Sequence, residues 1–338
     1  MNRFEDVQAE IEATGLRLRR SWPRSDRHLL LDLDSGDSGA RLAGQWFADM
    51  SRAAQVAAAT PGSRRSGRVV LQPDGADQVL TGLARLVRRP ANRLIAHRPE
   101  RRAVIALDDD ARFAKLVDSR RRAERIRQGL RRVARLPIRT PKVAGDDEGP
   151  LVITEALPGR PLTMLLGAST PRVLAAVGEA VARLHACDPL PGTRSHGPAD
   201  ELAVTIGWEE RARSYGLSLP EPDDVPLPPT APRPVPIHRD LHDGQLLVSG
   251  DGGADGVGLL DFDLLAAGDP ALDLANLIEH LRLRGRQGVL ADPDRAIAAL
   301  LDGYGPDAGI RERIPGYRAL TARRLAAVYA FRASDLVT

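Results

Sequence analysis

Cysteine is nearly absent. Cys187 stands alone in 338 residues, which excludes a disulfide framework and a zinc site built on thiolates. Aromatic residues make up 4 %, too few for a platform on which nucleic-acid bases stack. No run of 18 apolar residues occurs, so no membrane-spanning helix is expected. The opening residues Met1-Asn2-Arg3-Phe4-Glu5-Asp6 lack the apolar stretch of a secretion signal. A cytoplasmic protein is the expectation. A large excess of either charge is missing too, with 48 basic residues against 45 acidic ones. The formal net charge of +3 does not demand a nucleic-acid partner. Lysine is the last scarcity: all but two of the 48 basic residues, Lys115 and Lys142, are arginine. A lysine at a chemically apt position therefore draws notice.

What is present is ordinary globular composition, 43 % apolar and 28 % charged, in a length that suits about two domains. Residues 1–88 read as an N-terminal extension. Phe4, Val7 and Ile11 have helical spacing, and Leu29-Leu30-Leu31 and Val69-Val70-Leu71 are short apolar runs that suit strands. The small, polar stretch Ala53 to Gly67 reads as a mobile loop, and Trp22, Trp46 and Trp208 as local core. Residues 89–157 read as a small β-rich lobe, with strands at Arg93–Ala96, Ala103–Leu107, Arg112–Val117 and Leu151–Thr154 and an arginine-rich helix from Ser119 to Arg135. That arginine face reads as solvated, and as a nucleic-acid surface only if salt-dependent retention were found. Residues 158–338 read as mostly helical, with helices from Thr170, at Ala199–Tyr215, and at 271–284, 293–303 and 316–332. The whole is α+β in two lobes with an extension in front.

The chemistry is concentrated in Val235-Pro236-Ile237-His238-Arg239-Asp240-Leu241-His242-Asp243-Gly244-Gln245-Leu246-Leu247-Val248, and in Gly258-Leu259-Leu260-Asp261-Phe262-Asp263 after it. Leu246–Val248 and Val257–Leu260 are apolar runs joined by a Gly/Asp-rich turn, which predicts a hairpin. The hairpin brings Asp240 and Gln245, at its entry, near Asp261, at its exit. Phosphoryl transfer needs such a set. One carboxylate orients the attacking hydroxyl, and two oxygen ligands hold Mg²⁺ on the nucleotide phosphates.

These segments resemble the aminoglycoside phosphotransferase and choline kinase-like family, a branch of the protein-kinase-like fold. The family pattern is His-x-Asp with Asn five residues on, an Asp closing the next hairpin, and then Gly-Asp-Pro…Asp-Leu-Ala. This chain has His238-Arg239-Asp240, Gln245, Asp261, Gly268-Asp269-Pro270 and Asp273-Leu274-Ala275. The resemblance implies a bilobal kinase-like fold, Asp240 as catalytic base, and Gln245 and Asp261 as ligands of Mg²⁺. It makes Asp269 and Asp273 structural carboxylates. It also implies Lys115 against the nucleotide phosphates, Glu124 as the carboxylate orienting that lysine, and Glu155, Ala156 and Leu157 as the hinge that receives the base of ATP or GTP.

Two features depart from the family pattern. Gln245 stands where Asn is usual, and the turn His97–Arg102 has no glycine where a Gly-rich loop is expected. Only Phe262 to Gly268 separate Asp261 from Asp269, too short for the activation segment that docks a peptide. The expected acceptor is therefore a hydroxyl of a small molecule such as an aminoglycoside, amino sugar or other sugar. His242 either touches substrate or packs its loop. Glu209, Glu210, Glu221, Asp223 and Asp224 would suit a cationic or polyhydroxyl acceptor or merely be solvated. The competing class is a catalytically weak nucleotide-binding module whose working part is residues 1–88.

Overall fold

The structure is a computed structural model, and it describes residues 3–35, 41–108, 110–145, 149–167, 170–221, 225–250 and 252–332. Helix α1 (Arg3–Glu12) buries Phe4, Val7 and Ile11, the three residues whose spacing defines its apolar face. Strands β1 (Arg17–Ser25), β2 (His28–Asp34) and β3 (Arg41–Phe47) follow, then α2 (Met50–Ala59), β4 (Arg64–Ser66) and β5 (Val69–Gln72). The strands form an antiparallel sheet in the order β1-β2-β3-β5-β4. The stretch read as a mobile loop is ordered instead. Its alanines are strong helix formers, Asp49 caps α2 by accepting the Ser51 N–H at 2.8 Å, and Ala53 and Val56 are buried.

One face of this sheet packs outward from its own residues. Leu29, Leu31, Trp46 and Val69 share a core with Ala212 and Tyr215 from the middle of the chain and with Ala327 and Phe331 from its far end. Ser21 donates its N–H to the Phe331 carbonyl at 2.8 Å, and Arg20 forms an isolated antiparallel bridge with Arg332.

After α3 (Leu83–Val87), strands β6 (Arg93–Arg98), β7 (Arg102–Leu107) and β8 (Arg112–Val117) and helix α4 (Arg120–Val133) lead to β9 (Leu151–Glu155). The second sheet is antiparallel, in the order β6-β7-β8-β9. Leu80 and Leu83 cover its Ala103, Ile105, Ala114 and Leu116. Ser119 caps α4, accepting the Arg122 N–H at 3.3 Å.

The helical part holds β10 (Arg160–Pro161), α5 (Thr170–His185), β11 (Ser195–His196), α6 (Pro198–Ser214), β12 (Val235–Ile237), β13 (Leu246–Val248), β14 (Val257–Leu259), β15 (Ala266–Gly268), α7 (Pro270–Arg286), α8 (Pro293–Tyr304) and α9 (Ala308–Tyr329). Helix α9 starts eight residues before the point where the sequence reading began it, and Pro315 lies inside it. Proline removes one helical hydrogen bond, but buried Arg313, Ile314 and Tyr317 hold the turn in place. Among the described residues no helix is long and apolar enough to cross a membrane.

Helices α5 and α8 touch through backbone. A Cβ on Gly178 would fall inside the van der Waals envelope of the Leu300 carbonyl oxygen. Gly178→Ala is expected to destabilise by about 1–3 kcal/mol, the usual penalty of overpacking. Urea unfolding measures it, and an unchanged midpoint would show that the helices part freely.

Candidate active site

The loop between β12 and β13 is pinned from below by α7. Asp273, with no solvent exposure, accepts the N–H groups of His238 at 2.6 Å and Arg239 at 2.7 Å, and a hydrogen bond with His185 Nε2 at 3.1 Å. Asn276 donates to the Arg239 carbonyl at 2.8 Å. Burial works against the charge on Asp273, but the hydrogen bond and the charge of His185 outweigh it and hold the carboxyl below its usual range. Arg239 itself has φ +67°, a left-handed conformation that a non-glycine residue adopts only under such anchoring.

The same loop is tied to the hairpin exit. His238 shares a hydrogen bond with the Leu260 carbonyl at 2.6 Å, and its ring lies 4.7 Å from that of Phe262. Gln245 accepts the Leu260 N–H at 2.9 Å through its own carbonyl. The β13–β14 pairing, Leu246 opposite Leu259, therefore sets Gln245 beside Asp261, as the hairpin reading required. Asp261 also has a positive φ, +56°. The Asp240 carboxylate is partly exposed and has no hydrogen-bond or ion-pair partner among the described residues.

From the small sheet, Lys115 on β8 reaches across. Its Nζ lies 2.9 Å from Asp261 and 2.7 Å from Asp263, and Arg102 approaches Asp261 at 3.5 Å. Burial raises the Asp261 carboxyl, but Lys115 and then Arg102 overcome it and hold it well below the usual carboxylate range. Asp263 moves the other way, raised by burial and by the charge on Asp261. Two carboxylates on one ammonium titrate as a unit.

Glu124 is not brought to Lys115. It sits one turn into α4 and engages Arg127 at 3.1 Å and Gln128 at 2.9 Å, the helix ion pair that its spacing always permitted. The hinge residues follow β9. The Glu155 N–H donates to the Lys142 carbonyl and the Ala156 N–H to that of Ala111, which leaves the Leu157 N–H without a partner among the described residues. His242 packs: its ring stacks on His280 at 4.8 Å, and its Nδ1 accepts the Gly244 N–H. Asp269 caps α7 through the Ala271 N–H and pairs with Arg313 at 2.6 Å. Glu209 is taken up by Arg323 at 2.8 Å. Asp223 and Asp224 lie outside the described residues.

Sequence reasoning missed what holds the glycine-free turn. Asp77 bonds the His97 ring and the Glu100 N–H, and Glu100 takes hydrogen bonds from Gln45 and Gln78. It also missed Arg20 and Trp22. Trp22 is a half-buried platform with the guanidinium carbons of Arg20 and Arg98 at 4.8 and 5.1 Å from its ring centre. Arg20 and Trp22 lie two apart on one strand, which puts them on one face. That alternation was the available signal.

A model of the phosphotransferase enzyme family matches residues 92–320. Among solved structures, an aminoglycoside phosphotransferase of Streptomyces rimosus is 21 % identical over 72 % of this chain and 98 % of its own, with a TM-score of 0.54. The same enzyme in complex with ADP and streptomycin covers 66 % of this chain and 90 % of its own at 21 % identity and a TM-score of 0.49. A Plasmodium vivax ethanolamine kinase is 13 % identical over 75 % and 80 %, at 0.46. The first of these likenesses is one of fold. No curated protein matches the chain significantly.

Proposed function

Because this chain belongs to the phosphotransferase enzyme family, whose members are small-molecule kinases, we propose that it moves the γ-phosphoryl group of ATP or GTP to a hydroxyl of a small molecule, with Asp240 as the base. The observation that carries this reading is the partnerless Asp240 carboxylate, held by a loop that also delivers Gln245 to Asp261. Asp240 orients the attacking hydroxyl and takes its proton. Lys115, released from Asp261 and Asp263, meets the phosphates. The Leu157 N–H and its neighbours at the hinge receive the base.

The donor set fits Mg²⁺, which prefers oxygen ligands and keeps several waters. Asp261 offers a carboxylate and Gln245 an amide oxygen, on adjacent backbone. Bound there, the ion would neutralise charge on the transferred phosphate. The hydrogen bond from the Leu260 N–H to the Gln245 carbonyl keeps the two backbones together. The convergence of Lys115, Asp240, Gln245 and Asp261 supports an enzyme over a weak nucleotide-binding module.

Mg-ATP is expected to raise the melting temperature, since a ligand of the native state stabilises it by mass action. Asp261→Ala should lose most of the Mg²⁺-dependent part. Thermal shifts with ATP, with and without Mg²⁺, test this. Equal shifts in the parent protein would remove Asp261 and Gln245 as metal ligands.

A further inference from the structure

Three arginines without a carboxylate partner among the described residues, one of them in the field of Asp240, gather at a place that the proposed activity does not explain. Arg20 comes from β1, Arg98 from the end of β6, and Arg332 from just after α9. The Arg20–Arg332 bridge and the Ser21–Phe331 hydrogen bond bring the first and last of them together. Arg20 and Arg98 both lie over the Trp22 ring, and Arg332 stacks 3.6 Å over the Tyr329 ring and shares a hydrogen bond with that residue. Buried Nε atoms of Arg20, Arg98 and Arg332 have no hydrogen-bond partner. Among the described residues none of the three makes an ion pair.

The surroundings of Arg98 are wholly of like sign, those of Arg20 are mixed, and Arg332 has Arg284 on one side and Tyr329 and Asp243 on the other. The charges acting on Arg20 are those of Arg332 and Arg102, with Tyr329 and Asp240 on the other side. Those acting on Arg98 are Arg102, Arg20, Arg101 and Arg122, all positive. Burial first, and then these neighbours, lower the Arg20 guanidinium to about 10 and that of Arg98 to about 9. Buried charge without a partner is unfavourable and is normally neutralised by pairing. Arginine's planar fork suits the oxygens of a carboxylate or a phosphate.

We propose that Arg20, Arg98 and Arg332 grip an anionic group on the acceptor, so that the molecule phosphorylated is a hydroxyl compound bearing a carboxylate or a phosphate. The proposal rests on the reading that Asp240 faces the acceptor. It gives residues 1–88 a task, since β1 supplies Arg20 and Trp22 to the site. It also disfavours a polycationic aminoglycoside, which three arginines without a carboxylate partner repel. Nucleotide phosphates are the other source of the same chemistry, because Arg98 and Arg102 flank the turn where a Gly-rich loop would lie. Arg20 and Arg332 argue for the acceptor. They stand outside the small sheet, and the carboxylate that acts on Arg20 is Asp240, whereas Lys115 reaches Asp261 and Asp263.

The test fills the nucleotide site first. Inorganic phosphate and D-glycerate are titrated calorimetrically into protein saturated with Mg-ADP. At least one should bind, and Arg20→Met should weaken it about tenfold or more while Mg-ADP affinity stays within about twofold. Arg98→Met should act alike from a separate strand. A ligand-holding arginine also predicts that Arg20→Met is as stable as the parent or more so, whereas a structural arginine predicts a lower melting temperature. Equal anion binding in parent and variant, or no anion binding in the Mg-ADP complex, overturns the proposal. So does weakened Mg-ADP affinity in Arg20→Met, which would assign the cluster to the nucleotide. Failure of the parent to bind Mg-ADP at all would instead remove the kinase reading beneath it.

Discussion

Asp240→Asn is expected to lower turnover by about 10²-fold or more, the scale of losing a general base, and to leave Mg-nucleotide affinity within a few-fold. The geometry separates the two effects. The Asp240 carboxylate accepts nothing from its own loop, while the loop's backbone is fixed by Asp273, Asn276 and the His238–Leu260 contact. Removing charge at Asp240 therefore leaves the loop's scaffold in place. An interaction made mainly in the transition state lowers kcat more than it raises KM. Nucleotide calorimetry beside a turnover assay reads both quantities. Near-normal turnover in a well-folded Asp240→Asn protein would end the mechanism proposed here, and a fall in stability matching the fall in rate would make Asp240 a scaffold residue.

The second large effect is structural. Asp273→Ala should cost about 3–5 kcal/mol, the scale for breaking a buried charged network by removing one member. Two backbone N–H groups and the His185 ring lose their acceptor at once. Urea unfolding measures the loss, and Asp273→Asn, which keeps one acceptor oxygen, gives an intermediate value if the full truncation does not fold. The pH dependence has a definite sign. The Asp273 carboxyl is held below its ordinary value in the folded chain. Its stabilisation is therefore complete above the unfolded carboxylate pKa of roughly 4, and it is lost as pH falls through the lower folded value. The Asn variant should lack that part of the acid sensitivity. Identical acid profiles would mean that Asp273 is not held as an anion.

How far the sequence reached depended on what each residue answers to. The strands of the small sheet, the hairpin and the placement of Gln245 beside Asp261 were legible because period-two patterns and turn residues act locally. The structural role of Asp269 came from the family resemblance, and the structure makes it the cap of α7. Glu124 was misplaced because the resemblance assigned it to Lys115 while Arg127, three residues on, is the nearer partner. Helix α2 was hidden because alanine reads as small before it reads as helical, and Pro315 hid the first turns of α9. Alternation could place Arg20 and Trp22 on one face of β1, but their meeting with Arg332 was beyond reach for another reason. Their meeting joins positions far apart in the chain, and no local pattern encodes it.

That meeting has a consequence in time. The Ser21 hydroxyl and the Phe331 carbonyl are 310 residues apart in the chain. Ribosomes add about 5–20 residues per second, so β1 waits on the order of a minute or less for the segment that closes its outer edge. Contacts of such span are entropically late. The anion grip is thus assembled among the last features of the molecule. A nascent chain that already owns its kinase loop cannot yet hold an acceptor by Arg332, and for that interval the edge of β1 is an open template for other strands. The arginines along β1, Arg20 among them, serve in the meantime as charges that keep such strands away.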